Sequence, residues 1–496
     1  VAIKVKSGFS AIKENASSLG AMLFIGTKSA FAKNNFSVSI KGTPLEEVFN
    51  KHLQGLEAKP EAGLYNWSSL VKSEAAIGFL LLEDKTKTLD LLESLRSAFA
   101  TVVLQKNTFV RFIISDDLNA SDTSKALGIA LSARILPMPK YGKVAKEQKP
   151  FLLSEVQLIS AQNSVERFNE GLILGEGSHL VRKLGMTPAN YLNPKIYGEE
   201  IKKLCASNKL TVKFHSNKAL KKMGAGAFTA VDQGDPNSFG GVYEITYKPT
   251  KAKNKSPVAL VGKGLCFDTG GYNIKTGNYM LTMKGDMQGS AVALSTLICA
   301  SRLKWPLHLK AWLAVTENHI SPKAFKPDDL VTALNGKTIE VIDTDAEGRM
   351  VLADTLTLAT KEKPMFCLDF ATLTGAAVRA VGSRMGVGFS NDESLHRLIK
   401  ECGVASGERV WPFPLEEDYG TALESKVADI MQCSPSPGPD HIWAAYFLSK
   451  FIENKTPWVH IDLSASENDS GLGAANGPFT GFGVLWATEF IKRKFL

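Results

Sequence analysis

The segment Asp343-Thr-Asp345-Ala-Glu347-Gly-Arg349 sets three carboxylates and a guanidinium within seven residues, directly after the apolar run 339–342. Acidic side chains held this close repel one another and raise each other's pKa, so a fold that keeps them ionised needs a multivalent cation. The alternative is a solvated acidic turn. A charged segment at the end of a strand-like run points to an α/β sheet, because in such sheets ligands bind beyond the strand ends.

The rest of the chain supports that class. Apolar runs at 258–261, 309–315, 339–342 and 366–370 are separated by segments of helical spacing such as 289–303 and 350–361, with a further helix around 202–204. This alternation predicts a mixed sheet covered by helices on both faces. Before it, residues 21–25, 36–40, 75–82 and 109–114 read as strands and 124–135 as a helix. Residues 136–150, rich in proline and lysine, read as a surface loop, and 165–184 has helical spacing suited to an arm between domains. At 496 residues the chain exceeds one ordinary core. The expectation is an N-terminal α/β domain at 1–164 and a larger α/β catalytic domain at 165–496.

Composition narrows the function classes. No apolar stretch approaches the ~20 residues of a membrane-spanning helix, and the first 30 residues lack the apolar core of a secretory signal. The six cysteines form no C-x-x-C pair, and three sit in apolar runs as small hydrophobes, which is reduced, cytoplasmic usage. The net charge of +8 comes from dispersed lysines with basic clusters at 143–149, 248–255 and the C-terminal tail, so neither a nucleic-acid nor a membrane partner is expected.

Upstream of the acidic segment lie Val261-Gly-Lys263-Gly-Leu-Cys-Phe-Asp268-Thr-Gly-Gly-Tyr-Asn-Ile-Lys275 and Met283-Lys-Gly-Asp286-Met-Gln-Gly-Ser. Together with Asp343–Arg349 these resemble the leucyl aminopeptidase family, di-metal exopeptidases with an Asn-Thr-Asp-Ala-Glu-Gly-Arg signature. The resemblance extends through Thr187-Pro-Ala-Asn190, Ala371-Thr-Leu-Thr-Gly375, Trp411-Pro-Phe-Pro414 and Gly477-Pro-Phe-Thr-Gly-Phe-Gly483, and covers roughly residues 165 to 490.

The resemblance implies a metal-dependent aminopeptidase with two divalent ions. Lys263 and Asp286 would belong to one metal site and Asp345 to the other, with Asp268 and Glu347 bridging. Four carboxylates balance two divalent cations if Lys263 binds as a neutral amine. Oxygen-rich ligands with one nitrogen suit zinc, manganese, cobalt or magnesium. A hydroxide shared by the two ions would be the nucleophile. Lys275 matches the catalytic lysine that stabilises the oxyanion, and Arg349 the arginine that holds a bicarbonate proton shuttle. Met283, Thr372 and Gly375 match positions lining the pocket for the N-terminal side chain, implying preference for apolar residues such as leucine. Peptides as substrates and a homohexamer are further implications.

Three positions depart from the family pattern: Asp343 where Asn is usual, Thr276 where Pro often follows the catalytic lysine, and Gln288 where Gly is usual. None removes a ligand. His460, in Trp458-Val-His-Ile-Asp462, reads as a buried strand residue. Competing readings are a dipeptidase of small substrates such as cysteinyl-glycine, a structural or DNA-binding relative, and a two-metal phosphatase or nuclease. The retained ligands argue against the structural relative, and the lysine ligand and lack of clustered histidines against the last.

Overall fold

The structure, a computed structural model, describes residues 3–7, 21–32, 36, 40–53, 63–66, 77–101, 108–148, 150–162 and 164–496. Its contacts divide the chain into two units, Val1–His179 with Ser470–Asn476, and Leu180–Asp469 with Gly477–Leu496.

The first unit holds a six-stranded sheet of β1 (Lys4–Ser7), β2 (Ala21–Thr27), β3 (Gly63–Asn66), β4 (Ile77–Leu82), β5 (Phe109–Ile114) and β6 (Glu155–Ile159) in the order β1-β6-β5-β2-β4-β3. All neighbours are parallel except β3 and β4. The strands β2 and β4 are buried along their length, and on one face Phe24, Phe31, Phe36, Phe49 and Phe79 form an aromatic core. Of the strand expected at 36–40, residues 37–39 fall outside the described residues, while Phe36 and Ile40 at its ends are not in a strand. The helix expected at 124–135 starts earlier, at Ala120, because the Asn119 side chain accepts from Asp122 N and caps it. Within 136–150 a short helix, Gly142–Lys146, interrupts the expected loop.

The second unit is built on β7 (Thr211–Ser216), β8 (Gly241–Tyr247), β9 (Val258–Asp268), β10 (Leu309–Asn318), β11 (Leu330–Thr332), β12 (Thr338–Glu340), β13 (Phe366–Ala371), β14 (Gly386–Ser390), β15 (Val410–Pro412), β16 (Ile430–Met431) and β17 (Trp458–Asp462). Eight of them form one mixed sheet in the order β15-β14-β17-β13-β9-β10-β8-β7. At its centre β17, β13, β9 and β10 run parallel, which requires crossovers. The helix Gln288–Arg302 makes the one from β9 to β10. It sits close to the sheet because a Cβ at Gly289 would fall 2.1 Å from Phe370 O, and one at Gly262 2.5 Å from Gly289 O. Only glycine fits at either position.

Two expectations about the motifs change. Lys263 and Asp268 lie on β9 itself, since the strand continues past the apolar run 258–261, paired with β10 in one register to Leu265 and, after a register shift, at Asn318 and Asp268. The run 339–342 does not enter the main sheet. Its strand β12 belongs to a small sheet with β11 and β16, and beyond it Val341 N bonds Asp329 O at 3.0 Å while Ile342 N bonds Gln432 Oε1 at 3.1 Å. A loop carbonyl and a side-chain amide take the bonds that a neighbouring strand would have made.

Candidate functional site

Three segments converge: the end of β9 with the turn after it, the 3-10 turn before the helix Gln288–Arg302, and the turn that follows β12 of the small sheet. At the end of β9, Asp268 Oδ1 accepts from Gly270 N and from Asn318 Nδ2 of β10, both at 2.9 Å. Gly270 and Gly271 have φ of +83° and +65°, a left-handed pair that turns the chain back so that Lys275 N bonds Thr269 O. Asp286 ends a 3-10 turn just before the helix Gln288–Arg302. Asp345 and Glu347 open the helix Glu347–Lys361, and the Asp343 carboxylate caps the turn by accepting from Asp345 N at 2.8 Å.

These loops bring the six metal-ligand and lysine candidates together. Lys263 Nζ lies 2.8 Å from Asp286 Oδ2 and 3.0 Å from Glu347 Oε1, and donates to Thr372 O at 3.0 Å. Lys275 Nζ lies 2.8 Å from Asp268 Oδ2 and 2.6 Å from Asp345 Oδ1. Thr372 Oγ1 donates to Asp286 Oδ1 at 2.6 Å. Gly348 is what admits the Lys263 side chain here: a Cβ at that position would stand 2.5 Å from Lys263 Cε.

Four carboxylates and two ammonium groups leave the cluster with excess negative charge. Burial pushes the carboxyls of Asp286, Glu347 and Asp345 up to about 7, with Asp268 adding to each rise and the lysines opposing it. Burial alone would lower Lys263, but Asp286, Glu347 and Asp268 outweigh it and hold its ammonium above the usual lysine range. A second centre of positive charge would relieve both strains, and would free Lys263 to bind as an amine. The donor set fits that purpose. Asp268, Asp286 and Glu347 each offer a carboxylate oxygen within 4.8 Å of the others, all buried, and Glu347 Oε2 has no hydrogen-bond partner. Asp286 Oδ2 and Asp345 Oδ1 face ammonium groups but are not aligned for hydrogen bonds.

The cluster floors a cavity of about 570 Å³, a volume suited to a small ligand. Met283, Thr372 and Gly375 line it with Lys275 and Thr276. Arg349 does not. Its Nη2 spans both oxygens of Asp440 at 2.9 and 2.8 Å and its Nη1 donates to Gln432 O at 3.3 Å, which leaves Nε without a partner. Gln288 is fully buried behind the cluster with neither amide atom hydrogen-bonded. His460 is a buried strand residue, its Nδ1 on Asp369 at 2.6 Å.

Sequence reasoning passed over several residues that shape the site. Asn318 ties β10 to Asp268 and, at 3.0 Å, to Thr344 O. Asn273 Oδ1 accepts from Thr344 N at 3.0 Å, joining two motifs. Asp462, the last residue of β17, and Glu467, from the loop after it, also line the cavity, and the one signal that could have found them is their position at and beyond the end of a buried strand.

A mixed sheet with carboxylates, two lysines and a cavity at its strand ends defines a metallohydrolase. Residues 179–487 match the family model described as the cytosol aminopeptidase family, catalytic domain. A probable cytosol aminopeptidase of Synechococcus sp. is 36% identical over 422 residues, 81% of each chain. One of Gloeobacter violaceus is 38% identical over 344 residues, 68% of this chain and 67% of that protein. Among solved structures, a mutant of tomato leucine aminopeptidase is similar with a TM-score of 0.84 and 26% identity, over 99% of this chain and 97% of the other. The bottromycin maturation enzyme BotP in complex with Mn has a TM-score of 0.81 and 27% identity, over 96% and 99%. The chain belongs to the cytosol aminopeptidase family, and is a metal-dependent aminopeptidase.

Proposed function

We propose that this aminopeptidase removes N-terminal residues from peptides at the cavity bounded by Lys263, Lys275, Asp268, Asp286, Asp345 and Glu347. The observation that carries the reading is the convergence of these six side chains from three separate segments, with carboxylate oxygens turned toward one another in buried surroundings. Lys263, Asp268, Asp286, Asp345 and Glu347 would hold two divalent ions, zinc or manganese being the first candidates, since a structural neighbour is in complex with Mn. Such ions, when bound, would supply Lewis acidity for the scissile carbonyl and for a water.

The chain's own groups do the rest. Lys275 Nζ stands at the cavity wall and offers N–H donors to the oxyanion that develops on the carbonyl. Asp268 and Glu347, whose carboxylate oxygens lie near each other and near Asp286, would contribute to holding both ions. Arg349, fixed by Asp440, lies outside the cavity lining, and by family likeness its open Nε would be the donor for a bicarbonate ion. Met283, Thr372 and Gly375, with Leu373 and Val378 beside them, form a wall that an N-terminal leucine or methionine would fit. By family likeness we infer a cytoplasmic homohexamer, which light scattering on the purified protein tests. Among the described residues no helix is long and apolar enough to cross a membrane.

The deciding experiment is hydrolysis of leucine anilide before and after exhaustive chelation, followed by add-back of zinc or manganese. Activity should disappear with the metal and return with it. Full turnover by protein whose metal content is nil overturns the di-metal reading.

A further inference from the structure

The cavity carries one acidic side chain that the reaction as described leaves without a task. Glu467, from the loop after β17, lines it beside Thr282, the residue next to Met283. It is none of the five residues assigned to the metal ions, and it is not among the carboxylates whose oxygens cluster within 4.8 Å. Its backbone is fixed by a bridge to Phe479, and its Oε1 would lie 3.0 Å from a Cβ placed on Gly285. The Thr282 side chain hydrogen-bonds it. Thr282 itself has φ +69°, a left-handed conformation that a β-branched residue rarely adopts, and strain of that kind collects at ligand sites.

Glu467 also lacks a cation of its own. Among the described residues no lysine, arginine or histidine forms an ion pair with it. The nearby Lys284 donates instead to Met186 O at 3.0 Å and lies over the Phe479 ring. A half-buried carboxylate beside Asp286 and Asp469 is costly to keep ionised without a counter-charge. Its carboxylate faces the cavity together with Met283 and Thr282.

We propose that Glu467 makes the side-chain pocket a receptor for a cationic N-terminal residue, lysine first, with the aliphatic stem along Met283 and the ammonium on the Glu467 carboxylate. A lysine side chain suits such a site because its stem is apolar and its head seeks charge. The inference rests on the aminopeptidase reading and adds a substrate class to it. Leucine still fits the apolar wall but brings Glu467 no counter-charge.

The test compares kcat/KM for the anilides of lysine and norleucine, which match in length and differ in the terminal charge. The ratio cancels losses common to both substrates. In the metal-loaded wild type it should exceed one, and in Glu467→Gln it should fall about 10–100-fold, the range of a hydrogen bond between charged groups. Glu467→Met supplies the same comparison if the Gln variant does not fold. A charge reversal, Glu467→Lys, should raise the ratio of glutamate to glutamine anilide. A lysine to norleucine ratio that stays within twofold in these variants, or a wild type preferring norleucine more than tenfold, overturns the proposal while leaving the aminopeptidase reading intact. No hydrolysis of either anilide by the loaded wild type removes that reading and this one with it.

Discussion

Lys263 and Lys275 sit in one cluster and make similar contacts, yet they are asked to do different work, and substitution separates them. Lys275 lies at the cavity wall on Asp268 and Asp345. Lys275→Ala should keep its metal content and lose on the order of 10²–10³ in kcat, the usual loss for one oxyanion donor. Lys263 is buried between Asp286 and Glu347, so Lys263→Ala should lower bound metal per chain. Metal analysis alongside kinetics decides, and metal lost from the Lys275 variant but kept in the Lys263 variant reverses the roles. Gly348→Ala tests the same point from outside the ligand set. Its Cβ would press on Lys263 Cε and Nζ, the flexible end of a side chain, so thermal stability should change little while metal content drops. A large fall in Tm with normal metal content would mean the glycine serves packing instead. Lys263 and Lys275 were legible in the sequence through the resemblance of their motifs to those of a known family, whereas Gly348 was not singled out. Asn318, Glu467 and the Thr372 carbonyl were not, because each reaches the site only through the pairing of strands distant in sequence.

At the scale of elements, the C-terminal helix Val484–Phe495 begins on a buried acid from another part of the chain. Glu408 Oε2 accepts from Gly483 N at 2.9 Å and Trp486 N at 2.8 Å, satisfying donors that the first turn leaves open. Burial nonetheless pushes its carboxyl up to about 8, against these hydrogen bonds. The native state thus holds a proton that the unfolded chain, with a carboxyl near its ordinary value, gives up earlier. The stability that this proton confers is complete at low pH and drains away as pH rises through about 8. Glu408→Gln should remove that slope, at most ~1.4 kcal/mol per pH unit for one proton. Urea unfolding of both proteins from pH 5 to 9 reads it as a difference between curves, which cancels other groups. Parallel curves would mean that Glu408 does not titrate in this window.

The elements themselves were unevenly legible. Long apolar runs such as 109–114 and 366–370 became the strands β5 and β13 because burial on both faces selects for such runs. β9 outran its apolar core through Gly-Lys-Gly, where a functional lysine takes a core position. β12 was seen as a strand, but nothing local distinguishes a strand of the small sheet from one of the main sheet. The short β14 and β15, interrupted by glycine and proline, gave no periodic signal at all.

For the molecule as a whole, the remaining question is which end of a substrate it reads. The cavity collects carboxylates and offers Lys275 as its donor, while no side chain among those lining it is placed in this reading to anchor a blocked terminus. An aminopeptidase of this design would read the free α-amine, whose lone pair would bind one of the metal ions that the carboxylates hold. Acetylating that amine replaces a donor nitrogen with a planar amide that is larger and scarcely basic. Hydrolysis of N-acetyl-leucine anilide should therefore be all but lost relative to leucine anilide. The free amine must also be neutral to donate, and its unperturbed pKa is ~8, so kcat/KM for leucine anilide should climb from pH 6 toward the alkaline side. That rise belongs to the substrate, and a comparison series with amines of lower pKa should shift it downward by the same interval. An endopeptidase would cleave the blocked and free compounds alike and show no such shift, and equal rates on the two would end the assignment of this chain's activity to the N-terminus.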